Sequence, residues 1–410
     1  MKKSTKSFST DKRVLITGGS IAANTLAWWL VEGGFTVTVV EKAPEFRQGG
    51  QSIDVRGVAR TVVDRMGIKE EVDQSGTGET GWTYVDEDGK LVAAFRLEDV
   101  GGEGPTAEFE ILRGDLAHIM YQKVRDRADY RFDDAIAAID NGADAAHVRF
   151  ESGQEEDYDL VLVAEGVGSS TRELMFKGEN DPRWMDMTLG FFTIPREDSD
   201  GTDARWYNAP GGRCIFLRPD PHGTTRAVLT LQQEARHADN KSTEEAKAWL
   251  KQTFADAGWE APRVLAGLDQ ADDLYFEVLR QVKMDRWSNG RVALTGDAAW
   301  CATPVSGIGT TLAVVGAYVL AGELSKTDHY QQAFENYERI MRPFVNEGQG
   351  VSKLHQLWTY PHTKFGIAVQ HAALNVLSRP GIRDLFLKAM RDPNDIDLPH
   401  YEFSSASTGA

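Results

Sequence analysis

The residues best equipped for chemistry lie in the last third of the chain, in Gly290-Arg-Val-Ala-Leu-Thr-Gly296-Asp297-Ala-Ala-Trp300-Cys-Ala-Thr-Pro304-Val-Ser-Gly307-Ile308-Gly309. A short apolar run, Val292 to Thr295, delivers Gly296-Asp297 to a turn; Pro304, Gly307 and Gly309 then lead into an apolar helix reaching Leu324. Asp297 can accept hydrogen bonds from polyol hydroxyls. The amides of Gly307, Ile308 and Gly309 form a helix start, where about half a positive charge stabilises a nearby anion. A reduced flavin ring is such an anion, so the pair suits a redox cofactor better than a sugar.

A second constellation opens the chain. Gly18-x-Ser20-x-x-Ala23 follows the strand-like Arg13 to Thr17 and starts a helix-compatible stretch, Ile21 to Glu32. The first position requires glycine for a tight turn. The second requires a small residue so that the backbone can approach a pyrophosphate, and the third packs helix on strand. Gly33-Gly34 ends the helix, and Thr36 to Glu41 reads as a second strand with an acid at its end, where ribose hydroxyls would bind. Two weaker motifs lie between these ends: Leu112-Arg113, a cation at a helix start, and Glu165-Gly166, an acid at the end of a buried strand with Arg172 on the next turn. Glu165 reads equally well as a simple cap of the element that follows.

Stepping outward, the remaining elements divide into two kinds. The βαβ opening is a parallel-sheet unit. Trp82 to Phe95 reads as a hairpin around Asp88-Gly89. A helix is expected near Leu112 to Ala128, and strands at Ala145 to Phe150 and Tyr158 to Ala164. From Met187 to Gln233 the chain is strand-rich (Leu189 to Ile194, Ala204 to Asn208, Cys214 to Arg218, Arg226 to Gln232), as expected of a second, antiparallel domain. A capping box, Ser242-Thr-Glu-Glu245, starts a helix. Beyond Asp328 the pattern is helical to about Met390, and Ser404 to Ala410 reads as a disordered tail. The fold class is α/β, a Rossmann-like dinucleotide domain with an inserted antiparallel sheet and a C-terminal helical region. The expected boundaries are 1–75, 101–180 and 281–345 for the first domain, 76–100 and 181–280 for the second, 346–400 for the helices and 401–410 for the tail.

Composition excludes several partners. Across 410 residues, 62 acidic side chains against 45 basic ones give a net charge of −17, which repels nucleic acid and anionic membrane surfaces. Only Cys214 and Cys301 are present, so neither a disulfide framework nor structural zinc is expected, and the nine histidines show no metal-ligand spacing. No apolar run reaches the ~20 residues of a membrane span. The basic N-terminus leads into a βα unit rather than a secretory signal, and a cytoplasmic location is expected.

Gly18-x-Ser20-x-x-Ala23, Leu112-Arg113, Glu165-Gly166 and Gly296-Asp297 with Pro304-x-x-Gly307-x-Gly309 occur in an order that resembles the class A flavoprotein monooxygenases, over residues ~12 to ~345. Gly49-Gly50-Gln51-Ser52-Ile53-Asp54-Val-Arg56-Gly57 and a long C-terminal helix with Trp358 are similar to the branch of tetracycline-inactivating monooxygenases and polyketide hydroxylases. The resemblance implies FAD and NADPH as cofactors, a small aromatic or polyketide substrate with O2, and a monomer. It implies that Gly18, Ser20, Ile21 and Ala22 hold the pyrophosphate, Glu41 the ribose and Lys42 the adenine end. Arg113 and Asp54 would lie along the flavin and its ribityl chain, Asp297 at the ribityl-pyrophosphate region, and Pro304 with Gly307, Ile308 and Gly309 along the pyrimidine edge. Arg47 would touch NADPH transiently. Substrate contacts would come from Phe192, Phe216, Trp206 and Leu229, with Phe191 and Tyr207 nearby. Oxygen would be transferred from a flavin C4a-hydroperoxide, so no protein nucleophile, metal or other catalytic side chain is named. The chain departs from the family pattern at Glu165 for the usual Asp, Trp300 where His is common, and Gly316 for a frequent Asp.

Two other functions share parts of this pattern. A flavin-dependent halogenase would carry Trp-x-Trp-x-Ile-Pro, and the nearest stretch, Phe191-Phe-Thr-Ile-Pro195, lacks both tryptophans. A flavin-bearing protein that sequesters a hydrophobic compound without turnover is the other.

Overall fold

The computed structural model describes residues 12–46, 50–96, 110–383, 385 and 396–403. Alternating β-branched runs and short turns give four sheets. The first has the order β17-β18-β11-β1-β2-β7 and comprises β1 (Arg13–Thr17), β2 (Thr36–Glu41), β7 (Asp129–Phe132), β11 (Leu160–Val163), β17 (Ser288–Asn289) and β18 (Val292–Leu294). Its β18-β11-β1-β2-β7 core is parallel, with Thr17 aligned to both Val163 and Val40, and Val163 aligned to Leu294. Strands β11 and β18 are apolar and buried at every position, as strands covered on both faces are.

The second sheet, in the order β16-β12-β15-β14-β13-β4-β5, is built from β4 (Gly81–Val85), β5 (Leu91–Arg96), β12 (Arg183–Pro195), β13 (Ala204–Ala209), β14 (Arg213–Pro219), β15 (Thr224–Gln232) and β16 (Tyr275–Gln281). It is antiparallel except for one parallel pair, β4 with β13, which the sequence reading did not anticipate. That pair follows from the chain's two visits to this sheet, since the hairpin of β4 and β5 must join an edge formed more than a hundred residues later. A ribbon of β3 (Ser52–Asp54) with β6 (Glu110–Leu112) and a meander of β8 (Ile136–Asn141), β9 (Ala146–Phe150) and β10 (Glu155–Tyr158) complete the strands.

The single strand expected from Tyr158 to Ala164 is divided at Asp159. There the Arg13 amide donates to the Asp159 carboxylate at 2.8 Å and Arg291 donates to its carbonyl at 2.9 Å, turning the chain from the meander into the parallel sheet.

The helices are α1 (Ile21–Glu32), α2 (Val58–Arg65), α3 (Lys69–Gln74), α4 (Arg113–Val124), α5 (Ser170–Met175), α6 (Thr243–Phe254), α7 (Ala261–Gln270), α8 (Asp297–Trp300), α9 (Gly309–Lys326), α10 (Tyr330–Gly348), α11 (Lys353–Thr359) and α12 (Lys364–Leu377). The capping box forms at α6, with Ser242 and Glu245 each accepting the other's amide. Helices α1 and α9 pack on the parallel sheet, and α6 and α7 cover the outer face of the second sheet. The chain returns at its end to the first layer. Tyr401 is buried against Gly322 and donates to Glu323 at 2.8 Å, and Phe403 lies 4.6 Å from the Trp29 ring. Packed chain therefore extends to Phe403, inside the segment expected as tail. Arg47 and residues 404–410 lie outside the described residues.

Candidate functional site

Three of the four motifs, with Glu41, converge because four neighbouring parallel strands end side by side. Gly18 follows β1, Glu41 ends β2, Glu165-Gly166 follows β11 and Gly296-Asp297 follows β18, all at the carboxyl edge where open α/β sheets bind ligands. Gly18 sits at φ +100°, and a Cβ there would lie 2.5 Å from the Ala164 carbonyl oxygen. Only glycine fits. At Gly296, φ is +59° and a Cβ would come within 3.0 Å of the Ala22 methyl, so the two motifs at opposite ends of the chain touch.

Helix α1 presents a bare N-terminus. Ser20 is its N-cap but makes no side-chain cap, and no acid stands in the first turn, although acids are favoured there. The amides of Ile21 and Ala22 are thereby left for an anion from outside the chain. The Gly18-Gly19 turn is held from two sides. Gly19 N donates to Glu41 Oε2 at 2.6 Å, and Asn24 donates to the Gly19 carbonyl at 3.0 Å. Glu41 also accepts from Ala43 N at 2.8 Å, so each carboxylate oxygen is committed once and keeps a lone pair for a hydroxyl. Lys42 is exposed beside it.

Helix α9 starts in the same manner. Its N-cap, Ile308, makes no side-chain cap and its first turn holds no acid. Gly307, at φ +70°, and Gly309 both face open space, while the Ile308 side chain is buried and fixes the turn. Pro304 is exposed on the preceding 3-10 turn. Thr303 adopts φ 71° and ψ 155°, a region almost reserved for glycine that costs of order 1–3 kcal/mol. The loop is held in that conformation by buried glutamines. Gln349 donates to the carbonyls of Val282, Trp300 and Cys301, and Gln281 donates to that of Ala302. Neither glutamine was singled out from the sequence, since nothing in a lone Gln announces what it will meet.

Asp297 opens to water on one side, yet protein surrounds it so closely that burial raises its carboxyl pKa, against the opposing pull of Arg113. It is a carboxylate on the floor of a cleft. Arg113, exposed at the start of α4, is anchored by its own amide donating to Gln51 at 2.9 Å. Asp54, on the ribbon, pairs with Arg56 at 2.6 Å through one oxygen, while the other is buried without a hydrogen-bond partner. That orphaned acceptor, the two bare helix starts and the glycine-lined turns fit an extended dinucleotide carrying a polyol chain.

Glu165 takes the plainer of its two readings. It accepts from Ser169 Oγ at 2.7 Å and Thr171 N at 3.0 Å, and so caps α5. Arg172 is buried and donates to the carbonyls of Val167 and Ala298, tying this loop to the Gly-Asp segment. The departures at Trp300 and Gly316 prove to be one feature. A Cβ on Gly316 would lie 2.7 Å from the Trp300 ring, so the large residue occupies the room that the small one leaves.

The aromatic residues nominated for substrate divide between two faces. Trp206 and Phe216, 4.9 Å apart, lie on the inner face with Phe191, Leu189, Tyr360 and Val305 of the Pro304 turn. Phe192 and Leu229 do not. They are 2% and 0% exposed and pack with Tyr207 against α6 and α7, which corrects their nomination. Strand alternation is the reason, since Phe191 and Phe192 must point opposite ways.

The inner face also carries two polar residues not singled out from sequence, Tyr275 and Glu277. Their cross-strand partners, Phe191 and Leu189, place them on this face. Tyr275 donates to Glu277 at 2.7 Å; its ring is open to water on one side, yet protein crowded around both groups raises the pKa of each. An alternating stretch with Tyr and Glu at the same parity was the available signal.

Among the described residues no group of His, Cys, Asp and Glu could hold a metal, and no helix is long and apolar enough to cross a membrane. Residues 11–347 match the family described as FAD binding domain. The chain is 32% identical to the FAD-dependent monooxygenase asL6 of Sarocladium schorii, over 95% of this chain and 98% of that one. It is 35% identical to monooxygenase CTB7 of Cercospora beticola, over 96% and 99%. Among solved structures, the tetracycline destructases Tet(51) and Tet(55) each superpose with a TM-score of 0.77, at 28% and 29% identity, covering 95% and 96% of this chain and 99% of each. With the geometry above, these likenesses place the chain in the FAD binding domain family, as an FAD-dependent monooxygenase of the class A aromatic-hydroxylase type.

Proposed function

We propose that this chain consumes NADPH to insert one oxygen atom from O2 into a polycyclic phenolic substrate of tetracycline or polyketide type. The observation that carries the reading is the aromatic inner face, with Phe191, Trp206, Phe216 and Tyr360, packed with Val305 just beyond the Asp297 cleft. Flat rings stacked against such a wall would lie between it and the flavin. The likeness to tetracycline destructases supports the same substrate class.

Bound FAD supplies the redox chemistry, accepting hydride from a nicotinamide and activating O2. The protein's part is to bind and orient. Gly18, Ser20, Ile21 and Ala22 would hold the pyrophosphate, Glu41 a ribose, and Asp54, Arg113 and Asp297 the ribityl region. The α9 start at Gly307 to Gly309 would stabilise negative charge on the ring's pyrimidine edge. Side chains on the inner face would exclude water from the reacting carbon.

The test uses purified, FAD-loaded protein with NADPH, isotopically labelled O2, and tetracycline, 1-naphthol and p-nitrophenol as probes. The expected result is a yellow protein whose NADPH oxidation a probe accelerates, with one labelled oxygen in the product by mass spectrometry. Binding without NADPH oxidation would favour sequestration. Replacing NADPH with NADH measures the nicotinamide preference, and size-exclusion chromatography checks the proposed monomer.

A further inference from the structure

We propose that Tyr275 and Glu277 form the proton-accepting pair for the substrate, with Tyr275 Oη receiving the proton of a phenolic or enolic hydroxyl as its own proton passes to the Glu277 carboxylate. This rests on the proposed substrate class and adds a chemical role for two residues outside the flavin-binding set.

Three observations converge on the pair. The first is placement: cross-strand neighbours Phe191 and Leu189 put both residues on the inner face, with the Tyr275 ring 6.3 Å from that of Phe191. The second is access. Tyr275 remains 41% exposed on the sheet's edge strand, although its large apolar neighbours along the inner face are buried or half-buried. The third is connectivity, since the Tyr275 hydroxyl already donates to Glu277 Oε2 at 2.7 Å and needs no rearrangement to pass its proton on.

The charges around the pair suit a proton acceptor. Glu277 is faced by Asp297 and Cys301 from the Gly-Asp segment, Arg113 from the start of α4, and Tyr275 and Arg280 from its own strand. Burial and Asp297 raise its carboxyl pKa, Tyr275 and the two arginines oppose this, and the net shift is upward. A carboxylate with a raised pKa is the stronger base near neutrality. In the transfer, the substrate O–H bond breaks and an O–H bond forms on Tyr275 while the tyrosine's original proton moves to Glu277. No electrons change hands. The product is a substrate oxyanion, whose ring carbon is more electron-rich and reacts faster with an electrophilic oxygen.

The experiment compares wild type, Tyr275→Phe and Glu277→Gln as FAD-loaded proteins, measuring kcat and KM for probe-dependent NADPH oxidation from about pH 6 to about pH 9. The same three probes serve. Each variant should lose on the order of 100-fold in kcat at the acidic end, and the loss should shrink as the probe's own hydroxyl ionises in solution. Flavin absorbance and the KM for NADPH should hold within about twofold. A loss of equal size at every pH, or a loss of bound flavin, would assign the pair a structural role and overturn the proposal. Unchanged kcat in both variants would overturn it too. If no probe stimulates wild type, the substrate class itself fails and the proposal falls with it, an outcome distinct from wild-type turnover that the variants share.

Discussion

The two walls of the cleft are made of different materials. The wall proposed for the flavin is mostly backbone: glycine turns after β1 and β18, and bare helix starts at Ile21 and Gly309. The opposite wall is mostly side chain, with Phe191, Trp206, Phe216, Tyr275 and Glu277 projecting from a sheet whose other face is an ordinary core. A backbone wall tolerates little change at its tightest turns, Gly18 and Gly296, and recognises only what backbone can bind, phosphate and ring edges. A side-chain wall can change its ligand by single substitutions. On the proposed reading, cofactor and substrate are held by rules of unequal strictness.

The sharpest way to break that contrast is at Gly18. Gly18→Val places a β-branched side chain at φ +100° and against the Ala164 carbonyl, so the turn after β1 must move. The expected outcome is a protein purified without yellow colour, with flavin affinity down at least 100-fold by fluorescence quenching. Retention of flavin by Gly18→Val would show that the turn is not the pyrophosphate site.

The next largest effect separates two adjacent residues of one strand. Phe192→Ala empties a fully packed position against α6 and α7, and should cost about 3–5 kcal/mol of stability without changing KM in the folded fraction. Phe191→Ala should cost less stability and raise the KM for an aromatic substrate several-fold, because it removes part of the inner wall. Denaturant midpoints and steady-state kinetics on both variants decide it. The reverse pattern would place the substrate behind the sheet.

The same division explains what could be read from the amino-acid order. Gly18 and Gly296 stood out as turn glycines because a positive φ and a close neighbour at each leave little room for another residue, and that constraint leaves a spaced signature. Leu189-Gly-Phe-Phe-Thr-Ile194 was legible as a strand but not as a wall, because both of its faces are apolar and parity cannot tell the cleft from the core. Phe192 and Leu229 were misplaced for that reason. Glu165 carried an acid at a strand end, and only the structure shows that Ser169 and Thr171 use both of its oxygens.

A smaller effect is expected at the packed pair behind the Gly-Asp segment. Gly316→Ala drives a methyl into the Trp300 ring, which is confined by Trp287 at 4.4 Å and Tyr337 at 5.8 Å. It should cost about 1–3 kcal/mol, as overpacking does. Adding Trp300→Phe should recover part of the loss, and a double-mutant cycle by chemical denaturation measures the coupling. Additive losses would mean that the two departures are unrelated.

The smallest expected effect tests the cleft floor. Burial raises the Asp297 carboxyl pKa in the folded chain, so its ionised form is held at a cost that the unfolded chain does not bear. For a group raised on folding, that cost is absent well below the unfolded carboxylate range near pH ~4 and grows as pH climbs through it to the folded value, then stays constant. Asp297→Asn keeps the shape and removes the charge. In flavin-free protein it should therefore raise the melting temperature slightly at neutral pH and leave it unchanged under acid conditions, while weakening FAD binding because the neutral amide is the poorer acceptor for ribityl hydroxyls. Thermal unfolding of the apo variant across pH, paired with flavin titration, reads both quantities. Lower apo stability at neutral pH would mean that Arg113 outweighs burial at Asp297, and that this part of the wall is held by side-chain charge after all.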